Sequence, residues 1–152
     1  MDAPVRRSVV EAFYRAFASR DPDAIAPFIA DDAKWLVIGP VDVLTFCGER
    51  RGRKAILDLF RHVIPAVLRF TGFVPEILLV DGDRAATLSR VTAVQQATGR
   101  TISYRCSQFL RFRTDQVIDF RSVIDSFAAA EQMLGHHIDL TPRATAPARS
   151  MA

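Results

Sequence analysis

The segment from Phe13 to Trp35 constrains the fold more than any other, because it writes a helix, a second short helix and a strand in direct succession. Val9, Val10, Phe13, Phe17 and Ala18 recur at helical spacing from Pro4 onward, with Arg6, Arg7, Glu11 and Arg15 opposite. That pattern predicts one amphipathic helix. Asp21 then caps a second helix with Pro22 at its first position, where a missing N–H costs nothing, and Ile25, Phe28 and Ile29 form its buried stripe. Asp31 and Asp32 stop that helix, and residues 34–38 read as a strand.

After Gly39 and Pro40 an irregular segment runs to Gly52, and a third helix is predicted over 53–70, with Pro65 bending or loosening it. Strands are predicted at 75–80, 84–96, 101–113 and 116–124, separated by Asp81-Gly82-Asp83, Thr98-Gly99-Arg100 and Thr114-Asp115. Helices followed by a bent, mainly antiparallel sheet make an α+β fold, with the helices packed in the concave face.

In this order the pattern resembles the NTF2-like superfamily, the cone-shaped α+β fold of ketosteroid isomerase, limonene-epoxide hydrolase and the SnoaL-like cyclases. The resemblance covers roughly residues 5–136. It rests on Phe17-Ala18-Ser19-Arg20-Asp21-Pro22-Asp23, Asp31-Asp32-Ala33, Trp35 followed by Gly39, Gly48 to Gly52-Arg53, and Phe120-Arg121-Ser122-Val123-Ile124-Asp125. It identifies a scaffold rather than a reaction, since one fold hosts many activities.

A chain of 152 residues reads as one domain over 1–140 with a flexible tail over 141–152. Its net charge of +3 is mild and implies no nucleic acid, and Arg50, Arg51, Arg53 and Lys54 read as a solvated basic face. With neither signal peptide nor membrane span in the pattern, a cytoplasmic protein is expected. Cys47 and Cys106 read as unpaired buried thiols, and His62, His136 and His137 lack metal-ligand spacing, so no metal and no cofactor are expected.

The last two strands decide which side chains line the cone. A three-residue loop, Arg113-Thr114-Asp115, places Tyr104, Cys106, Gln108, Leu110 and Phe112 on one face with Ile118, Phe120, Ser122 and Ile124. On the preceding strand the matching face is expected to hold Leu88, Arg90, Thr92 and Val94, which aims a charged arginine into an apolar cavity. The ligand-binding set is therefore Trp35, Arg90, Thr92, Tyr104, Cys106, Gln108, Phe120 and Ser122. Arg90, Tyr104 and Asp125 are the catalytic candidates, although Asp125 also reads as the cap of a final helix.

The resemblance implies chemistry that transfers poorly. Limonene-epoxide hydrolase uses an Asp–Arg–Asp arrangement, and the matching positions here are Thr92, Arg90 and Ser122. The tyrosine and the general base of ketosteroid isomerase fall at Phe13 and Val37, with Tyr14 one place off. The acid/base Asp of the SnoaL-like cyclases falls near Ser122. Three functions stay open. One is a cofactor-independent isomerase, cyclase or hydratase-like enzyme, with Tyr104, Asp42 or Glu49 moving the proton. Another is a binding protein for a small apolar acid, and the last an interaction module with a filled cone. A homodimer through the convex sheet face is expected, because Phe109, Val91, Ala93, Val117 and Val123 accompany its charged residues.

Overall fold

The computed structural model describes residues 3–142. The expected tail lies almost wholly outside them.

Helix α1, Arg7–Ser19, buries Val10, Phe13, Tyr14, Ala16 and Phe17. It ends on Arg20 in the left-handed conformation, φ 57°, whose N–H bonds back to the Phe17 carbonyl. The Asp21 carboxylate accepts the Asp23 N–H at 2.9 Å and so caps α2, Pro22–Ile25. A 3-10 turn, Ala26–Phe28, leads into β1, Ile29–Ile38. Asp31 and Asp32 therefore lie inside a strand rather than at a break. The register of β1 slips between Ile29 and Lys34, and there both carboxylates face outward to pair with Arg53 and Arg113.

The stretch expected to be irregular contains β2, Gly48–Arg51, antiparallel to β1. The third helix comes in three parts: α3, Arg53–Asp58, a π-helical segment, Leu59–Val63, and α4, Ile64–Val67. Pro65 explains the break, since its ring crowds the carbonyl four residues earlier and it brings no N–H, so the ladder widens ahead of it. The helix stops short of residue 70 because Leu68 opens β3, Leu68–Asp81, which is longer than predicted and is bulged near Gly72 and Glu76.

With β4, Arg84–Gln95, β5, Thr101–Arg113, and β6, Gln116–Ile124, the strands form one open six-stranded sheet in the order β2-β1-β6-β5-β4-β3. Only β1 and β6 run parallel. Between β5 and β6 the turn is a two-residue one, with Thr114 and Asp115 both at positive φ (49° and 63°). Taken alone it would mismatch the faces. A bulge between Arg111 and Phe112 of the pairing restores them, so Val117 rather than Ile118 is fully buried while Phe120, Ser122 and Ile124 face inward as expected.

The turn between β4 and β5 changes the site. Gln95 N–H bonds the Arg100 carbonyl across a four-residue loop, which sets Val91 opposite Tyr104, Ser89 opposite Cys106 and Thr87 opposite Gln108. Odd-numbered β4 residues face the cone. Side chains alternate, so a one-residue slip turns every expected inward residue outward. For the same reason Val91 and Ala93 are core residues and not part of the convex face, and the bulge does the same for Val117.

Helix α5, Ser126–Leu134, starts at Asp125, whose carboxylate accepts the Ala128 N–H. Where β6 ends, Gln132 takes its place beside β5: its side chain accepts from Ser103 N–H and donates to Ser103 O, both at 2.7 Å. No described helix is long and apolar enough to cross a membrane.

Candidate functional site

Aromatic rings build the inside of the cone. Trp35 lies flat on Phe120, with ring centroids 3.6 Å apart and planes at 8°, and Phe17 and Phe60 close around them. Trp35 is only 1% exposed, so it belongs to the inner wall. These rings line a cavity of about 40 Å3 that is partly open to solvent.

Trp35, Tyr104, Cys106, Gln108, Phe120 and Ser122 all line this cavity. Arg90 and Thr92 do not. The Arg90 guanidinium is half exposed on the convex face and bonds Glu76 at 3.1 Å, and Arg105 binds the same carboxylate. Thr92 sits on that outer face against Gly72 of β3. The even-odd slip set by the β4–β5 loop is the physical reason for both corrections.

The inward arginine is Arg20. Its guanidinium carbon lies 4.1 Å from the Phe17 ring centre and 3.9 Å from that of Phe70. Its Nε is enclosed and has no hydrogen-bond partner, and no carboxylate forms an ion pair with it among the described residues. Burial pulls its pKa down to about 10, against partial compensation from Tyr104 and Cys106. At about 1.4 kcal/mol per pH unit, holding this charge at neutral pH costs on the order of 3 kcal/mol, part of which cation–π contact with two rings returns. A non-glycine residue at positive φ adds strain to the same position.

The other polar groups around the cavity are neutral. The Tyr104 hydroxyl is pushed far above its ordinary value by burial, and burial lifts the Cys106 thiol to about 11. Both are protonated at neutral pH. Thr87 takes a bond from or gives one to Tyr14 at 3.2 Å and reaches the Gln108 carbonyl oxygen at 3.5 Å, which leaves the Gln108 amide N–H groups for the cavity. Ser89, with no exposed surface, is a second buried group whose hydroxyl has no partner. No acidic side chain is buried among the described residues. Asp125 is an exposed helix cap, Asp42 is exposed in its loop and Glu49 pairs with Arg51. No group of three His, Cys, Asp or Glu side chains among the described residues is placed to hold a metal ion.

The roof comes from the loop after β1. Leu44, Phe46 and Cys47 are buried, and the Arg50 guanidinium ties the loop down by donating to the carbonyls of Phe46 (3.0 Å), Cys47 (3.1 Å) and Thr45 (3.3 Å). A Cβ at Gly39 would stand 2.7 Å from the Cys47 sulfur, so only glycine lets the loop fold back this closely. The basic cluster read as a solvated face is thus partly internal: Arg50 holds the roof and Arg53 donates to the Ile29 carbonyl at 2.7 Å.

The SnoaL-like domain family matches residues 10–120. The chain belongs to this family. A candidate isomerase of Rhodopseudomonas palustris shares 31% identity with it at a TM-score of 0.73, covering 84% of this chain and 93% of that one. An NTF2-like protein of Burkholderia thailandensis has a TM-score of 0.73 at 21% identity, over 88% and 98% of the two chains. An LEH-like epoxide hydrolase of M. tuberculosis has a TM-score of 0.67 at 16% identity, over 84% and 88%. The last two share the fold alone. No curated relative matches the chain.

Sequence reasoning missed Arg20 because it was read only as part of the link between two helices. A signal was present: the position after a helix that favours glycine or asparagine carries an arginine instead.

Proposed function

We propose that the cone binds a small, otherwise apolar organic molecule presenting an anionic or carbonyl oxygen, and that Arg20 receives that oxygen. The observation that carries this reading is the enclosed Arg20 Nε with no partner. A buried charge is costly to retain unless something meets it. Tyr104, Gln108 and Ser122 around it are neutral and each can donate to the same oxygen, so the ligand that complements the Arg20 charge is an acceptor and not an ammonium cation. Tyr104, Gln108 and Ser122 orient it, and Trp35, Phe120 and Cys106 give its apolar part a wall. In a thermal-shift titration, simple carboxylates are expected to raise the melting temperature and to change Trp35 emission, and Arg20→Gln to remove both responses. Primary amines of equal size are expected to do nothing. Acids that act equally on Arg20→Gln would refute the reading.

A catalytic reading has one observation in its favour, the 31% identity to the Rhodopseudomonas palustris protein. Arg20 and Tyr104 would then stabilise an enolate. Proton transfer favours a group titrating near the working pH, whereas Tyr104 and Cys106 are both shifted away from it. Deuterium exchange next to the carbonyl of small ketones, followed by NMR, separates the two: exchange above the buffer rate makes the chain an enzyme.

The convex face supports a homodimer as part of the same proposal. Val74, Ile77, Leu79, Phe109 and Val123 are exposed there beside paired arginines, an apolar surface that a second copy would cover.

A further inference from the structure

One polar side chain on the wall of the cone has its direction set from behind. Gln108 lines the cavity and carries both an acceptor oxygen and two N–H donors, so what it shows a ligand depends on which way its amide is turned. Thr87 and Tyr14 stand beside it without lining the cavity, and all three are buried. The Thr87 hydroxyl donates to the Gln108 carbonyl oxygen at 3.5 Å and meets the Tyr14 hydroxyl at 3.2 Å. A carbonyl oxygen only accepts, and a hydroxyl has one proton. Thr87 therefore gives its proton to Gln108 and accepts that of Tyr14. With the amide turned over, Thr87 would accept from Gln108, and one buried hydroxyl proton, its own or that of Tyr14, would have no acceptor, since neither hydroxyl has another partner among the described residues. An orphaned buried donor is costly, so the chain of hydroxyls holds the amide in one direction.

We propose that Thr87, backed by Tyr14, is a positioning residue that turns the Gln108 N–H groups toward the cavity, so that the cone takes an aldehyde, ketone or carboxylate in preference to the corresponding alcohol. The Gln108 nitrogen has no partner among the described residues, and it is not sealed in as the Arg20 Nε and the Ser89 Oγ are. A carbonyl oxygen can accept from it and has no proton of its own to place. An alcohol oxygen can accept too, but its proton then needs an acceptor, and the amide oxygen that could serve is turned to Thr87. This rests on the cone as the ligand site and adds the oxidation level of what it takes.

The test is an NMR titration of the wild-type chain with cyclohexanone and cyclohexanol, which share a skeleton, followed at the Trp35 indole N–H. Cyclohexanone is expected to bind about fivefold more tightly, the value of one hydrogen bond. Tyr14→Phe combined with Thr87→Val removes both hydroxyls in nearly the same shapes and leaves neither orphaned, so the fold is expected to persist while the amide becomes free to turn. In that double variant the two ligands are expected to bind within about twofold of each other. Thr87→Ser keeps the hydroxyl and is expected to keep the preference. No preference in the wild type, a preference that survives in the double variant, or one lost in Thr87→Ser overturns the role of Thr87 and leaves the cone standing as the ligand site. If neither molecule shifts the Trp35 signal, the reading of the cone as a ligand site fails and the preference with it.

Discussion

Two arginines on opposite sides of the sheet show how the same side chain serves different ends. On the convex side Arg90 is half exposed and shares the Glu76 carboxylate with Arg105. Inside the cone Arg20 lies against two aromatic rings and has an enclosed Nε without an acceptor. The outer pair is solvated, and such pairs are worth little. The inner charge works against the fold, and its persistence is the reason to assign it a ligand. Charge alone says nothing about function; the environment of the charge does.

The largest expected effect sharpens the contrast between inside and outside with two phenylalanines. Phe120 is 1% exposed and stacked on Trp35, so Phe120→Ala is expected to cost about 3–5 kcal/mol in denaturant unfolding. Phe109 is 54% exposed on the convex face, and Phe109→Ala should cost less than about 1 kcal/mol per chain. Equal losses would show that the convex face is as enclosed as the cone.

Next comes Arg20→Leu. Removing this partly buried charge returns at most about 3 kcal/mol, and losing cation–π contact with two rings takes back about 0.5–2 kcal/mol for each. The net change in stability is therefore expected to stay within about 1 kcal/mol of zero, since both terms are of similar size. Binding of carboxylates should fall by about tenfold or more. Arg90→Leu is expected to leave that binding alone. A loss of more than about 3 kcal/mol in Arg20→Leu, comparable to removing one partner of a buried pair, would make Arg20 a structural element. Binding lost in Arg90→Leu would invert the comparison.

Most of the scaffold could be read from the sequence, while the polar end of the site could not. Asp21-Pro22, the helical stripe through Phe13 and Phe17, and the alternation over β5 and β6 are local signals, and each appears where expected except at Ile118, which gives its inward place to Val117. The face of β4 was decided by the loop Gln96 to Gly99, whose length in hydrogen-bonded terms is a property of the folded turn. One residue of register moved Arg90 and Thr92 to the outside. A similar ambiguity at Thr114-Asp115 did no harm, because a bulge absorbed it. Arg20 was hidden for another reason: its importance comes from Phe70, a ring 50 positions away in sequence, and no local pattern joins the two. Phe120 was legible because its inward face follows from strand alternation, whereas nothing in the alternation of the later strands placed Trp35.

A third test addresses the outer face directly. Phe109→Asp places a carboxylate among the exposed Val74, Ile77, Leu79 and Val123. If two copies pair through this face, the substitution is expected to convert a two-chain sedimentation mass to a one-chain mass at micromolar concentration, because an unpaired charge would be buried in the contact. Carboxylate binding in the cone should persist. A wild-type chain that already sediments as one copy would remove the dimer from the proposal.

The smallest effect is the acid dependence of the outer ion pairs. The Arg105 hydrogen bond, followed by the charges of Arg105 and Arg90, holds the Glu76 carboxyl below its ordinary value. A carboxylate lowered in the folded state stabilises the fold at pH values above the unfolded range and stops doing so as the pH falls through its own lowered value. Glu76→Gln should therefore reduce the denaturant midpoint slightly at pH 7, and the difference from wild type should vanish toward pH 3. Half a molar salt should shrink it as well, since Arg90 and Arg105 are half exposed. The cone offers no such dependence, because its charge belongs to an arginine that titrates far on the alkaline side. A difference that survives acid would mean that Glu76 contributes through packing at the β3 bulge and not through charge, and the division between a paired outer arginine and an unpaired inner one would lose its electrostatic basis.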